Sequence, residues 1–156
     1  MAADRQVLDA GARAPQFRLP RLDGGEVTLA EIAAQGPALL AFFKISCPVC
    51  QMTFPFLERI HQAGTLPVYG ISQNDAADTR DFAKRYRTTF PMLLDSEKSG
   101  FPVSNAYGIS SVPTMFLIER DGSIAQVIVG WRKQAIAALG ASLIRPDDNV
   151  PEWKAG

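Results

Sequence analysis

Cys47 and Cys50 are the only cysteines in this 156-residue chain, and they form a C-x-x-C. Two thiols at that spacing can share one reaction. One attacks a sulfur, the other resolves the product, and the pair cycles between dithiol and disulfide. The spacing also meets disulfide geometry, which needs Cα atoms roughly 4.4–6.8 Å apart. The competing readings are a purely structural disulfide and half of a zinc site. Tetrahedral zinc needs four ligands. No third cysteine exists, and the one histidine, His61, stands well beyond Cys50, about 16 Å along a helix. The count favours redox chemistry, and no metal is expected. His61 reads as a helix-surface residue rather than a catalyst.

Such a pair must be positioned. The apolar run Ala38 to Phe43 leads into it and has the character of a buried parallel strand. A helical pattern from Pro48 to about Ala63 leads out, with Met52, Phe56 and Ile60 on one face and Phe54 and Leu57 beside them. Pro48 suits the first helical turn, where its missing N–H costs nothing. Pro48 and Val49 therefore build a helix N-terminus directly after Cys47. Unpaired N–H groups and the positive dipole end favour thiolate there. Cys47 is expected to be the exposed nucleophile with a pKa below about 8.5, the free value. Cys50 lies one turn further in.

The remaining elements read in order. Residues 1–14 look like a loose arm. Gln16–Leu19 and Glu26–Thr28 form a hairpin around Asp23-Gly24-Gly25. Thr28 caps a short helix over Leu29–Gln35, ended by Gly36-Pro37. Pro67–Ser72 is a strand after the Gly64 stop. Asn74 or Asp75 caps a helix to Arg87, in which Phe82 and Tyr86 share a face. Pro91–Leu94 is a short strand, and Ser99–Ile109 a loop with one helical turn closed by Gly108. Thr114–Glu119 and Ser123–Val129 flank Asp121-Gly122, the strongest hairpin signal in the chain. A last helix covers Lys133 to Ile144, and the tail to Gly156 reads as loose apart from a docked Trp153. The order implies an α/β fold: a mixed central sheet with helices on both faces, an N-terminal β-hairpin and a central strand–helix insertion.

The length fits one domain, residues 1–156 with a core of about 11–144. Sixteen basic residues balance sixteen acidic ones, which argues against nucleic acid or an anionic membrane as partner. No apolar run approaches the roughly 18 residues of a membrane-spanning helix. Met1–Ala14 has neither a basic nor an apolar leader region, so the expectation is a cytoplasmic protein, or an extracytoplasmic one if a signal or anchor has been removed. No phosphate loop or dinucleotide fingerprint occurs, and no cofactor is expected.

The C-P-V-C at a strand–helix junction, Pro55 five residues after Cys50, and Val112-Pro113-Thr114 together resemble the thioredoxin superfamily. Gly11-Ala12-Arg13-Ala14-Pro15-Gln16-Phe17-Arg18-Leu19 and Asp23-Gly24-Gly25-Glu26-Val27-Thr28-Leu29 resemble the opening hairpin of the AhpC/TSA redoxins. That branch includes peroxiredoxins and the thioredoxin-like proteins of cytochrome c maturation. The resemblance implies a thioredoxin-like fold and a cis bond at Val112–Pro113. It makes Val112, Pro113 and Thr114 a substrate-binding loop facing the dithiol, in which Val112 pairs with a substrate strand. It implies a thiol–disulfide oxidoreductase acting on protein thiols and disulfides, supplied by an external dithiol, and working as a monomer. Lys44, Phe43, Trp131 and Tyr107 are candidates to line the site, with core packing as the alternative. Ser46 stands where thioredoxins carry Trp, Ala41 where they keep a buried Asp, and Thr53 where many cytochrome-maturation relatives carry Glu. Proton transfer is therefore expected to use water.

Two other readings compete. A peroxiredoxin-like thiol peroxidase, with antioxidant activity, would follow P-x-x-x-T/S-x-x-C. On that pattern Cys50 takes the peroxidatic place, but Phe43 and Cys47 replace the supporting Pro and Thr. A non-enzymatic redox-sensing module is the third reading.

Overall fold

The computed structural model describes residues 6–140 and 144–156. Its centre is a five-stranded mixed sheet. Strand β1 (Arg18–Pro20) and β2 (Glu26–Thr28) first form a separate antiparallel hairpin. Thr28 then opens α1 (Leu29–Ala34) with a capping box: its hydroxyl accepts from Glu31 N–H, and the Glu31 carboxylate accepts from Thr28 N–H. Such caps are worth about 1 kcal/mol. Strand β3 (Ala38–Phe43) has all six residues buried, so the sheet is covered on both faces at its centre. Helix α2 (Pro48–Ala63), β4 (Val68–Ser72), α3 (Ala76–Tyr86) and β5 (Met92–Leu94) follow. After a 3₁₀ turn at Glu97–Ser99 and α4 (Pro102–Ala106) come β6 (Thr114–Ile118) and β7 (Ile124–Val129). Strand β8 (Trp131–Arg132), α5 (Lys133–Ala138) and β9 (Trp153–Lys154) complete the order.

The central order is β5-β4-β3-β6-β7. Strands β3, β4 and β5 run parallel, whereas β6 and β7 are antiparallel to their neighbours. This is the mixed sheet read from the sequence. Successive side chains of a strand point to opposite faces, so Phe42 and Phe43 each seed an aromatic cluster. Phe43 stacks on Phe54 at 4.4 Å and on Phe82 at 4.8 Å. Phe42 meets Tyr107 at 5.3 Å and Phe116 at 5.7 Å. Gly70 leaves room beneath the first cluster: a Cβ there would lie 2.5 Å from Met92 Sδ and 3.2 Å from Phe43 and Phe90, so those side chains would have to shift. The aromatic packing fixes the end of β3, from which the dithiol loop departs.

Three expectations need correction. Residues 8–14 are tied down: Leu8 N–H donates to Tyr107 O, Gly11 N–H to Ile124 O, and Ala14 N–H to Gly122 O. Their partners lie about a hundred residues away, which no local pattern reveals; the rest of that arm, residues 1–5, lies outside the described residues. Helix α5 stops at Ala138, where Leu139 and Gly140 N–H groups turn back on Ile136 and Ala137. The continuation expected to Ile144 falls partly on residues 141–143, outside the described residues. The tail is held as strand β9, with Trp131 opposite Lys154 and Arg132 opposite Trp153. Trp153 itself does not dock; it is 56% exposed.

Candidate functional site

The dithiol sits where β3 hands the chain to α2. Cys47 is the N-cap, with extended backbone at φ −84° and ψ 113°. Its Sγ accepts the Cys50 N–H at 3.1 Å, the role an Asp or Ser oxygen plays at other helix starts. Pro48 occupies the first turn and Val49 is buried behind it. Cys47 is half-buried, whereas Cys50 is fully buried.

These surroundings pull the two thiols apart. Cys47 is lowered to about 6, first because the Cys50 thiol donates to it, with Cys50 and Val49 N–H groups and the Lys44 charge adding to this against the cost of burial. Burial pushes the Cys50 thiol up, and its hydrogen bond to Cys47 adds to this. A stable thiolate beside a protonated thiol is the resting state these environments favour.

A side-chain clamp fixes the approach to Cys47. Ile45 N–H donates to Asn74 Oδ1 at 2.9 Å, and Gln51 Nε2 donates to Ile45 O at 2.9 Å. Asn74 is held in turn: its N–H donates to Ser72 Oγ at 3.1 Å, and Ser72 Oγ lies 2.6 Å from Thr79 Oγ1. Asp75 takes the α3 cap, which frees Asn74 for this task. From the sequence Asn74 reads only as a candidate cap of α3, and Gln51 carries no signal of its role here. The available signal was two adjacent candidate caps, one of which had to serve elsewhere.

Val112, Pro113 and Thr114 lie beside the dithiol. The Val112–Pro113 bond is cis. Val112 O is 3.4 Å from Cys47 Sγ. Pro113 O accepts from Gly130 N–H at 2.8 Å. Thr114 is buried and spends its hydroxyl on Ser111 O at 2.8 Å, so its side chain tightens the loop rather than facing outward. Lys44 is exposed near the thiolate. Phe43, Tyr107 and Trp131 are fully buried core residues and do not line the site. Tyr107 donates to Pro15 O and Trp131 to Pro151 O, which consumes their polar ends.

His61 serves the fold: its Nδ1 accepts from Val68 N–H at 3.1 Å. Thr53 Oγ1 donates to Val49 O at 2.7 Å, and Ala41 is fully buried. Among the described residues Asp95 is the one buried carboxylate, and it caps α4 through Val103 and Ser104. Those bonds occupy the Asp95 carboxylate, and none of them reaches Cys50. Among the described residues no three His, Cys, Asp or Glu side chains converge as metal ligands.

A C-x-x-C at a helix N-terminus, facing a cis-proline loop on a mixed sheet, defines a dithiol protein of thioredoxin-like fold. The AhpC/TSA family pattern matches residues 10–127, and the chain belongs to that family. It is 30% identical to the thiol-disulfide oxidoreductase ResA of Halalkalibacterium halodurans, over 93% of this chain and 82% of that one. A thiol:disulfide interchange protein DsbE from Chlorobium tepidum superposes with a TM-score of 0.71 at 28% identity, covering 85% of this chain and 93% of the other. Peroxidoxin BcpB from Mycobacterium tuberculosis shares the fold alone, with a TM-score of 0.70 at 21% identity, covering 86% of this chain and 98% of that one. The protein is a thiol–disulfide oxidoreductase.

Proposed function

We propose that Cys47 is the attacking thiol, Cys50 the resolving thiol, and Val112–Thr114 the loop on which a protein disulfide docks. The supporting observation is the contrast between a thiolate-stabilised N-cap sulfur and a buried, protonated neighbour. The Cys47 thiolate attacks one sulfur of the target cystine. The target S–S bond breaks, a mixed disulfide forms, and the leaving target thiolate takes a proton from solvent. Cys50 then loses its proton to solvent and attacks the Cys47 sulfur. That expels the second target sulfur as a thiolate, which takes a proton from solvent, and leaves the Cys47–Cys50 disulfide. Solvent has exchanged the protons, and two electrons have passed from the protein to the target. An external dithiol returns them and resets the pair.

The peroxidase order would start at Cys50, whose burial and raised pKa oppose attack. We read the chain as one redoxin domain over residues 1–156 that acts as a monomer. Among the described residues no helix is long and apolar enough to cross a membrane. The redox poise of the compartment sets the direction of exchange.

Insulin reduction driven by dithiothreitol tests the assignment. The wild-type chain should accelerate it, Cys47→Ser should abolish the acceleration, and NADPH alone should support none. Activity with NADPH as the sole reductant contradicts the external-dithiol reading.

A further inference from the structure

Residues 151–156 run as a strap beside the dithiol loop. Lys133 N–H donates to Glu152 O at 2.9 Å, and the Trp131 indole N–H donates to Pro151 O at 2.6 Å. Lys133 Nζ lies 3.5 Å from Glu152 Oε1. Beyond β9 the strap closes on the cis-proline loop itself. A Cβ on Gly130, whose N–H binds Pro113 O, would stand 2.6 Å from Lys154 O. A Cβ on Gly156 would collide with the Val112 carbonyl, the group that also faces Cys47 Sγ. Beneath this cover Val112 is only 8% exposed.

We propose that the strap occupies the strand-docking edge of the thiol site, and that an extended segment of a substrate protein binds by displacing it. The proposal rests on the reading of Val112–Thr114 as the docking loop. The way the strap is held supports displacement. All six of its residues are exposed, including Trp153, so little apolar surface anchors it. Its grip is main-chain pairing to β8 and Lys133, one indole hydrogen bond, and exposed polar contacts of Glu152 with Lys133 and Gln134. An incoming extended segment offers the same main-chain pairing. Segments that bury little apolar surface open locally at low cost. The strap also indicates the chemistry of its competitor. Gly156 lies against Val112 only because it has no side chain, so the partner is an extended stretch flanking a cystine, with a small residue opposite Val112.

The test compares the reduced wild-type protein with Gly156→Val, whose side chain cannot fit against Val112, and with a chain ending at Val150. Single-turnover rates are measured with insulin, which must dock as a chain, and with the small aryl disulfide DTNB, which needs only access to Cys47. Insulin reduction should rise in both variants by roughly ten-fold, the factor expected when a docking-competent state is about 10% populated. The DTNB rates should stay near wild type. Free peptide PEWKAG added to the shortened chain should slow insulin reduction again. Unchanged insulin rates, equal acceleration of both probes, or loss of both activities in the variants would each overturn the strap. A wild-type protein that reduces neither probe would instead overturn the dithiol reading beneath it.

Discussion

Cys47 Sγ lies 3.4 Å from the carbonyl oxygen of Val112, a contact that joins positions 65 residues apart in the chain. As a thiol, Cys47 can donate to that carbonyl; as a thiolate it cannot. Ionisation of Cys47 therefore prepares the nucleophile and releases the Val112 carbonyl in the same event. In the proposed docking, the state that attacks a target is also the state in which Cys47 no longer holds that carbonyl.

The first prediction is the ionisation itself. Cys47 should titrate at about 6, held there first by the Cys50 thiol and then by N–H groups of α2. Iodoacetamide alkylation followed against pH should show that midpoint at Cys47, with Cys50 unreactive across the neutral range. A Cys47 midpoint near 8.5, the free value, would contradict the N-cap account.

Stability of the reduced form should follow the same group. A Cys47 pKa that is lower in the folded than in the unfolded state means that the unfolded chain binds more protons between the two values. Stability then rises with pH from about 6 toward the free thiol value of about 8.5. It is lost as pH falls through the folded value. Cys50 is raised and acts oppositely, removing stability above the unfolded thiol pKa. Urea midpoints of the reduced protein should climb from pH 5 to 8, and Cys47→Ser should flatten that climb.

The clamp on Ile45 gives a third expectation. Asn74→Leu or Gln51→Leu removes one hydrogen bond to the Ile45 peptide, which costs about 1 kcal/mol of stability. Because that peptide sets the N-cap, the alkylation midpoint of Cys47 should also move upward. Asn74→Ser, which keeps a short acceptor, should restore part of the shift. A loss of stability with an unmoved midpoint would limit both residues to a role in folding.

Much of this frame is legible from local pattern. Ala38–Phe43 reads as a buried strand because every residue is apolar, and it is one. Pro48 and Gly64 bracket α2 through the first-turn proline and a left-handed C-cap at φ +79°. What local pattern hides is pairing at long range. Asp95 caps α4 from eight residues before Val103, and at the other end of the chain Ile124 O accepts from Gly11 N–H while Ile124 N–H donates to Ala12 O. The strap is the same case, since nothing in Pro151–Gly156 alone marks it as a strand beside Trp131. Phe43, Tyr107 and Trp131 read from the sequence as candidates to line the site, and only packing shows them to be core.

Core support for the dithiol gives a fourth expectation. Phe54 is fully buried and meets Phe43, Phe82 and Phe90 at 4.4, 5.4 and 5.6 Å. Phe54→Ala should cost about 3–5 kcal/mol, measured by urea unfolding. Water reaching Cys50 through the vacated space should make that thiol alkylatable at pH 8. A loss under 1 kcal/mol would contradict the cluster's role.

The assignment of roles to the two cysteines is tested most directly by trapping. Reduced Cys50→Ser protein is mixed with insulin, quenched with acid, and mapped by mass spectrometry. An insulin chain should be found in disulfide linkage to Cys47, persisting because no resolving thiol remains. Reduced Cys47→Ser protein should form no such adduct on the same timescale. An adduct carried by Cys50, or a stable Cys50 sulfenate formed as Cys47→Ser rapidly consumes peroxide, would contradict the account.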